Sequence, residues 1–150
     1  MLTKKMPWEL GPEEIEYFYK AVDTDAHSGS VDDVSEDILG ERLSLWVWEE
    51  DHQSDYRNKR IDRPLVVVIT EVSEYRDGYK EFCVKMLAGT GGVENQPEIV
   101  ESLCKEASAS GCKKMIAYMK PYLFEKFGIE DVIPHFPSAE KVYIVIGMEV

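Results

Sequence analysis

No apolar run in this chain of 150 residues approaches the ~18 residues that a membrane-spanning helix needs. Cations are scarce: 17 Lys and Arg stand against 29 Asp and Glu, a formal net charge of −12. That balance argues against non-specific binding to nucleic acid and to an anionic membrane surface. Cysteine is sparse and odd in number, with Cys83, Cys104 and Cys112 in apolar or helical context and no C-x-x-C pair. The three read as reduced packing thiols of a cytosolic-type environment. His27, His52 and His135 have no His or Cys neighbour at ligand spacing, which argues against a zinc site. The start, MLTKKMPWELGPEE, has two lysines but no apolar h-region, so secretion by a signal peptide is not expected. No repeat, low-complexity segment or domain boundary interrupts the chain. A single domain over 1–150 is expected, with 1–11 as an N-terminal extension or short strand.

Apolar content is sufficient for a core, at 44%, and its patterning defines elements. Pro12 opens a helix that runs to about Asp23, with Glu13, Glu14 and Glu16 complementing the N-terminal dipole. Ile15, Phe18, Tyr19 and Val22 recur at spacings of three and four, predicting one buried face. Ser30 caps a second short helix whose stripe is Val31, Val34, Ile38 and Leu39, with Gly40 as its stop. Residues 43–49, LSLWVWE, alternate as a strand, with Trp46 and Trp48 on one face, packed under a helix. A long polar loop, 51–63, carries Arg57, Lys59, Arg60 and Arg63, a basic island on an acidic chain. The run LVVVI within the strand 64–75 predicts burial on both faces, hence helices on both sides of a sheet.

Asp77-Gly78 predicts a two-residue hairpin turn joining 64–75 to 79–88. Pairing Arg76 with Tyr79 then sets Val72 against Cys83, Thr70 against Lys85 and Val68 against Leu87. GTGG (89–92) reads as a glycine-rich loop. A helix over 97–110 buries Ile99, Val100, Leu103, Cys104 and Ala107, and Gly111 ends it. A strand at 112–119, a short helix at 121–128 and a strand at 141–150 complete the expected order. The fold class is α/β: a mixed sheet with a long antiparallel hairpin and helices on both faces.

This order, with the hairpin 64–88, the segment Leu87-Ala88-Gly89-Thr90-Gly91-Gly92 and the tail PYLFEKFGIEDV, resembles the GNAT superfamily of N-acetyltransferases over roughly residues 12–150. The resemblance implies acetyl-CoA as cofactor, its diphosphate held by backbone N–H groups of the glycine loop and the next helix N-terminus. The positions it would assign to cofactor binding are Met86, Leu87, Gly89, Gly91 and Gly92. The family motif Q/R-x-x-G-x-G/A has no Arg or Gln counterpart here, no cation lies between Lys85 and Lys105, and Glu94, Glu98 and Glu101 surround the helix start. Where the family often places a Tyr as general acid in L-Y-E-K, this chain has Phe124. Tyr122 sits about 200° away on that helix. No residue is assigned a catalytic role. Glu71, Glu74 and Glu81 on the hairpin read as edge solvation.

A narrower resemblance is to short, divergent GNAT-like proteins of tailed bacteriophages, carried by KMLAGTGG and Ser110-Gly111-Cys112. It implies a protein of the host cytoplasm or virion. The leading functional expectation is a catalytically degenerate GNAT-fold protein with a structural or assembly role, using protein partners, phage structural proteins or self-association. The alternative is an acetyl-CoA-dependent N-acetyltransferase. A third is an acidic binding module aimed at a host nucleic-acid-binding protein, carried by acidic residues such as Asp32, Asp33, Glu36 and Glu41. No metal, direct nucleic-acid contact or membrane association is expected.

Overall fold

The structure, a computed structural model, describes residues 1–23, 29–50, 64–91 and 95–117. The expected loop 51–63, helix 121–128 and strand 141–150 lie outside them. The described strands form one sheet in the order β1 (Leu2–Lys5), β2 (Ser44–Glu49), β3 (Leu65–Glu74), β4 (Lys80–Thr90) and β5 (Lys114–Ala117). Neighbours are antiparallel except β4 and β5, which are parallel. A parallel pair needs a crossover, and α3 (Gln96–Ala109) supplies it. The N-terminal residues thus form a four-residue strand that pairs Leu2 with Trp48 and Lys5 with Leu45.

The sheet is covered on both faces because its centre is apolar on both. Every residue from Leu65 to Thr70 is buried. Leu45, Val47, Leu65, Val67, Ile69 and Met86 point to a core closed by α1 (Pro12–Asp23) and α2 (Val31–Leu39). Trp46, Trp48, Val66, Val68, Phe82 and Val84 point the other way, to Ile99, Leu103 and Ala107 of α3. The two tryptophans are core residues under a helix, as their spacing predicts. Val100 and Cys104 are half-buried rather than buried. Thr70 is the polar exception on that face. Its hydroxyl accepts the Trp46 indole N–H at 2.9 Å in a buried setting.

The helices show where periodicity needs correction. In α1 the buried residues are Glu14, Phe18, Ala21 and Val22, while Ile15 is 40% and Tyr19 51% exposed. The apolar stripe is wider than the surface that the sheet can cover. Glu14 serves less as a dipole partner than as a brace: its carboxylate takes the Lys5 ammonium at 2.7 and 2.9 Å, tying β1 to α1. In α2, Val34 and Ile38 are buried, but Leu39 is 51% exposed and Val31 half-buried. Ser30 caps α2 as predicted, its hydroxyl accepting the Asp33 N–H while Asp33 accepts the Ser30 N–H. That backbone bond and the Ser30 hydroxyl hold the Asp33 carboxyl below its ordinary pKa.

Gly40 caps the end of α2 with φ −81°, and the left-handed residue is Glu41, at φ 61°. The N–H of Arg42 reaches back to the Asp37 carbonyl at 2.9 Å, the pattern that normally places glycine where Glu41 stands.

The hairpin turn has three residues, not two. Tyr75 N–H bonds the Tyr79 carbonyl at 2.8 Å, and Gly78 N–H, at φ 85°, bonds the Tyr75 carbonyl at 2.9 Å. Such a turn adds one residue to the loop. The distal register therefore slips by one: Val72 pairs with Phe82 and Thr70 with Val84. A bulge between Ile69 and Thr70 leaves Lys85 as the extra residue of β4 and restores Ile69↔Met86 and Val68↔Leu87. The predicted Val68–Leu87 pair holds only because these two irregularities compensate.

Two substitutions test this account by thermal or denaturant unfolding. Thr70→Val leaves the Trp46 N–H buried without its acceptor and costs about 1–3 kcal/mol; an unchanged midpoint would contradict the bond's importance. Glu41→Gly relieves the left-handed backbone and stabilises by about 0.5 kcal/mol or more; a destabilised variant would contradict the strain.

Candidate functional site

The end of β4 and the start of α3 form the site that the sequence singles out. β4 continues through Gly89 and Thr90, paired to Val66 and Leu65. Those two residues therefore belong to the sheet, and the expected loop begins at Gly91. Gly92 and Glu94 lie outside the described residues. Of the other residues assigned to cofactor binding, Met86 is buried beneath the α1/α2 face. Leu87 packs half-buried on the α3 face. The two side chains point to opposite sides of the sheet.

Each of the two described glycines here, Gly89 and Gly91, has a packing reason. A Cβ on Gly89 would run into the Leu65 carbonyl oxygen and lie 2.7 Å from the Val66 Cα. Only glycine lets β4 approach β3 there. Gly91 has φ 76°, and a Cβ on it would meet Pro64 at 2.9 Å. Thr90 is engaged as well, its hydroxyl meeting that of Tyr17 on α1.

The start of α3 is the place where an anion would sit. Its first turn holds Pro97, which has no N–H, and Glu98, whose carboxylate already complements the helix dipole. The N-cap residue Asn95 turns its side-chain N–H to the Gly91 carbonyl at 2.8 Å. The Ile99 N–H bonds the Asn95 carbonyl at 3.0 Å as the first helical bond.

One tertiary contact joins α1 to the end of β4, that between the Tyr17 and Thr90 hydroxyls. Lys20 on α1 sits 5.5 Å from the Tyr17 ring centroid, and Tyr17 reaches Thr90. Lys20 is nevertheless paired with Glu16 at 3.2 Å, with both side chains well exposed. Among the described residues, two backbone N–H groups remain over 96–98, beside the Glu98 carboxylate.

Alternative chemistry finds no support in the thiols. All three cysteines are free. Burial pushes Cys83 up to about 11 and raises Cys104 and Cys112, which keeps the thiols protonated near neutrality. Among the described residues no group of three or more His, Cys, Asp or Glu could hold a metal ion, and no helix is long and apolar enough to cross a membrane.

Comparison with known proteins places the architecture. A ribosomal-protein-alanine N-acetyltransferase from Brucella melitensis biovar Abortus 2308 matches with a TM-score of 0.58 at 11% identity, covering 100% of this chain and 99% of that one. The chain has the GNAT fold. A glucosamine-6-phosphate N-acetyltransferase from Arabidopsis thaliana matches with a TM-score of 0.51 at 17% identity, covering 99% of this chain and 98% of that one. A transcriptional regulator from Bacillus halodurans C-125 matches with 0.56 at 10% identity, covering 100% of both chains. No protein-family model and no curated protein matches the sequence.

Gly89→Ala separates packing from ligand binding at this site. The added methyl meets β3 backbone and destabilises the protein by about 1–3 kcal/mol without any coenzyme present. An unfolding midpoint equal to the parent's would mean that the glycine is not needed for the strand approach.

Proposed function

We propose that this GNAT-fold chain is catalytically degenerate and has a structural or assembly role, acting through its surface. The observation that carries this reading is the first turn of α3. Pro97 removes a donor there and Glu98 supplies the negative charge that a diphosphate would otherwise bring. Gly89 and Gly91 are accounted for by Leu65, Val66 and Pro64, so these two glycines do not by themselves argue for a phosphate cradle. The sequence resemblance to short phage GNAT-like proteins adds a setting, a component made with the virion.

A second reading, an acetyl-CoA-dependent N-acetyltransferase, is favoured by the fold neighbours described as N-acetyltransferases along their whole length. The β4 edge beyond Val84 also has no ladder partner on the β5 side among the described residues, and such an edge can accept amide groups of a ligand.

Titration of coenzyme A and acetyl-CoA, followed by heat and by melting temperature, decides between the two. A ligand at about 1,000 times its Kd stabilises by about 4 kcal/mol, which moves a melting temperature by several degrees. The degenerate reading expects no saturable heat and no shift with millimolar cofactor. Saturable micromolar binding would replace it with the acetyltransferase reading.

A further inference from the structure

β3 outruns its neighbour. β2 pairs with it only from Glu49↔Leu65 to Ser44↔Thr70, while β3 runs on to Glu74. The chain that would extend this ladder turns away: the N–H groups of Arg42 and Leu43 both bond the Asp37 carbonyl, at 2.9 and 3.1 Å. Over Glu71–Glu74 that edge of β3 therefore has no ladder partner among the described residues. On the other edge, Tyr75 N–H bonds the Tyr79 carbonyl. Bonded residues alternate along an antiparallel pair, so Ser73 and Glu71 also bond toward β4. Val72 and Glu74 are left with N–H and C=O turned to the open side. A groove of about 520 Å³ lies beside them, with Glu41, Leu43, Glu71, Val72 and Lys85 in its lining. An open strand edge of this kind can accept an added strand.

The charges around the edge select the strand that fits. Arg42 pairs with Asp37 at 2.8 Å and Lys85 with Glu71 at 3.2 Å. Glu41 and Glu74 form no ion pair with a described residue, so carboxylate is in excess. Alternation divides the surroundings by face. Val72, 42% exposed, and Glu74 lie on the α3 face. Glu71 and Ser73 lie on the α2 face, where the groove also meets Glu41. A matching strand carries an apolar residue opposite Val72 and cations on either side of it, toward Glu41 and Glu74. A second copy meeting this one edge to edge supplies no such strand. It would set Glu71 and Glu74 against the same carboxylates, and like charges facing one another destabilise a strand pair.

We propose that the Glu71–Glu74 edge of β3 takes an extended, lysine- or arginine-rich segment of a partner protein as an added strand. This rests on the surface-acting reading above, but the coenzyme titration and the peptide titration succeed or fail independently. The probe is acetyl-Lys-Lys-Val-Lys-Lys-amide, added to the whole protein and followed by ¹H–¹⁵N NMR. Saturating shifts are expected at the Val72 and Glu74 amides. Methylating the valine nitrogen of the peptide keeps its charge but removes a ladder donor, and should weaken binding about tenfold. Val72→Pro removes the outward N–H and spares the bonds to β4, with a similar loss expected. Glu41→Lys, at an exposed position, should weaken binding about fivefold and keeps the test decisive where the proline variant does not fold. Melting temperature reports folding of each variant. No saturable binding, or shifts that bypass Val72 and Glu74, would overturn the proposal. A methylated peptide that binds as tightly as its parent would also overturn it, since attraction to an acidic surface would then suffice.

Discussion

Burial of β3 on both faces is the constraint from which the rest of the architecture follows. Six consecutive residues, Leu65–Thr70, lose their water on both sides at once. Each fully buried Val, Leu or Ile contributes about 1.5–3 kcal/mol of transfer free energy. That gain is available only if both faces are covered, so α1 and α2 must lie on one side and α3 on the other. With α3 fixed there, β5 returns parallel to β4, and the β4–α3 junction is forced to the edge of the sheet. The junction that concerns function is therefore a consequence of the core.

The bulge at Lys85 shows how the same constraint shapes local detail. Side chains alternate strictly along a strand, so one inserted residue changes which face every later residue meets. Val84 faces α3, and Met86, two positions on, faces α1 and α2. Without the extra residue, Met86 would exchange cores. The added residue in the turn and the added residue in β4 are paired solutions that keep both cores filled.

Much of this was legible in the sequence because it rests on local chemistry. The Ser30 cap, the Pro12 helix start, the two-sided strand and the tryptophan face each follow from residue type and spacing over a few positions. What was not legible depends on partners distant in sequence. Ile15 and Tyr19 keep helical spacing yet lie outside the area that the sheet covers. Gly40 looks like the helix stop, but the backbone reverses at Glu41, where no composition signal marks a left-handed residue. Gly89 looks like a loop residue because its reason, the Leu65 carbonyl, is on another strand. Tyr17 reaches Thr90 at the end of β4, a contact without a linear trace. The acidic start of α3 was readable, since Pro97 and Glu98 are adjacent to the glycines that raised the question.

On the proposed degenerate reading, the chain's own Pro97 and Glu98 close the N-terminal turn of α3 to a diphosphate. Amide resonances of Gly91, Gln96 and Glu98, followed by ¹H–¹⁵N NMR during addition of coenzyme A, report on that turn directly. The account predicts that these three peaks stay in place at millimolar ligand. Saturating shifts confined to them would contradict it.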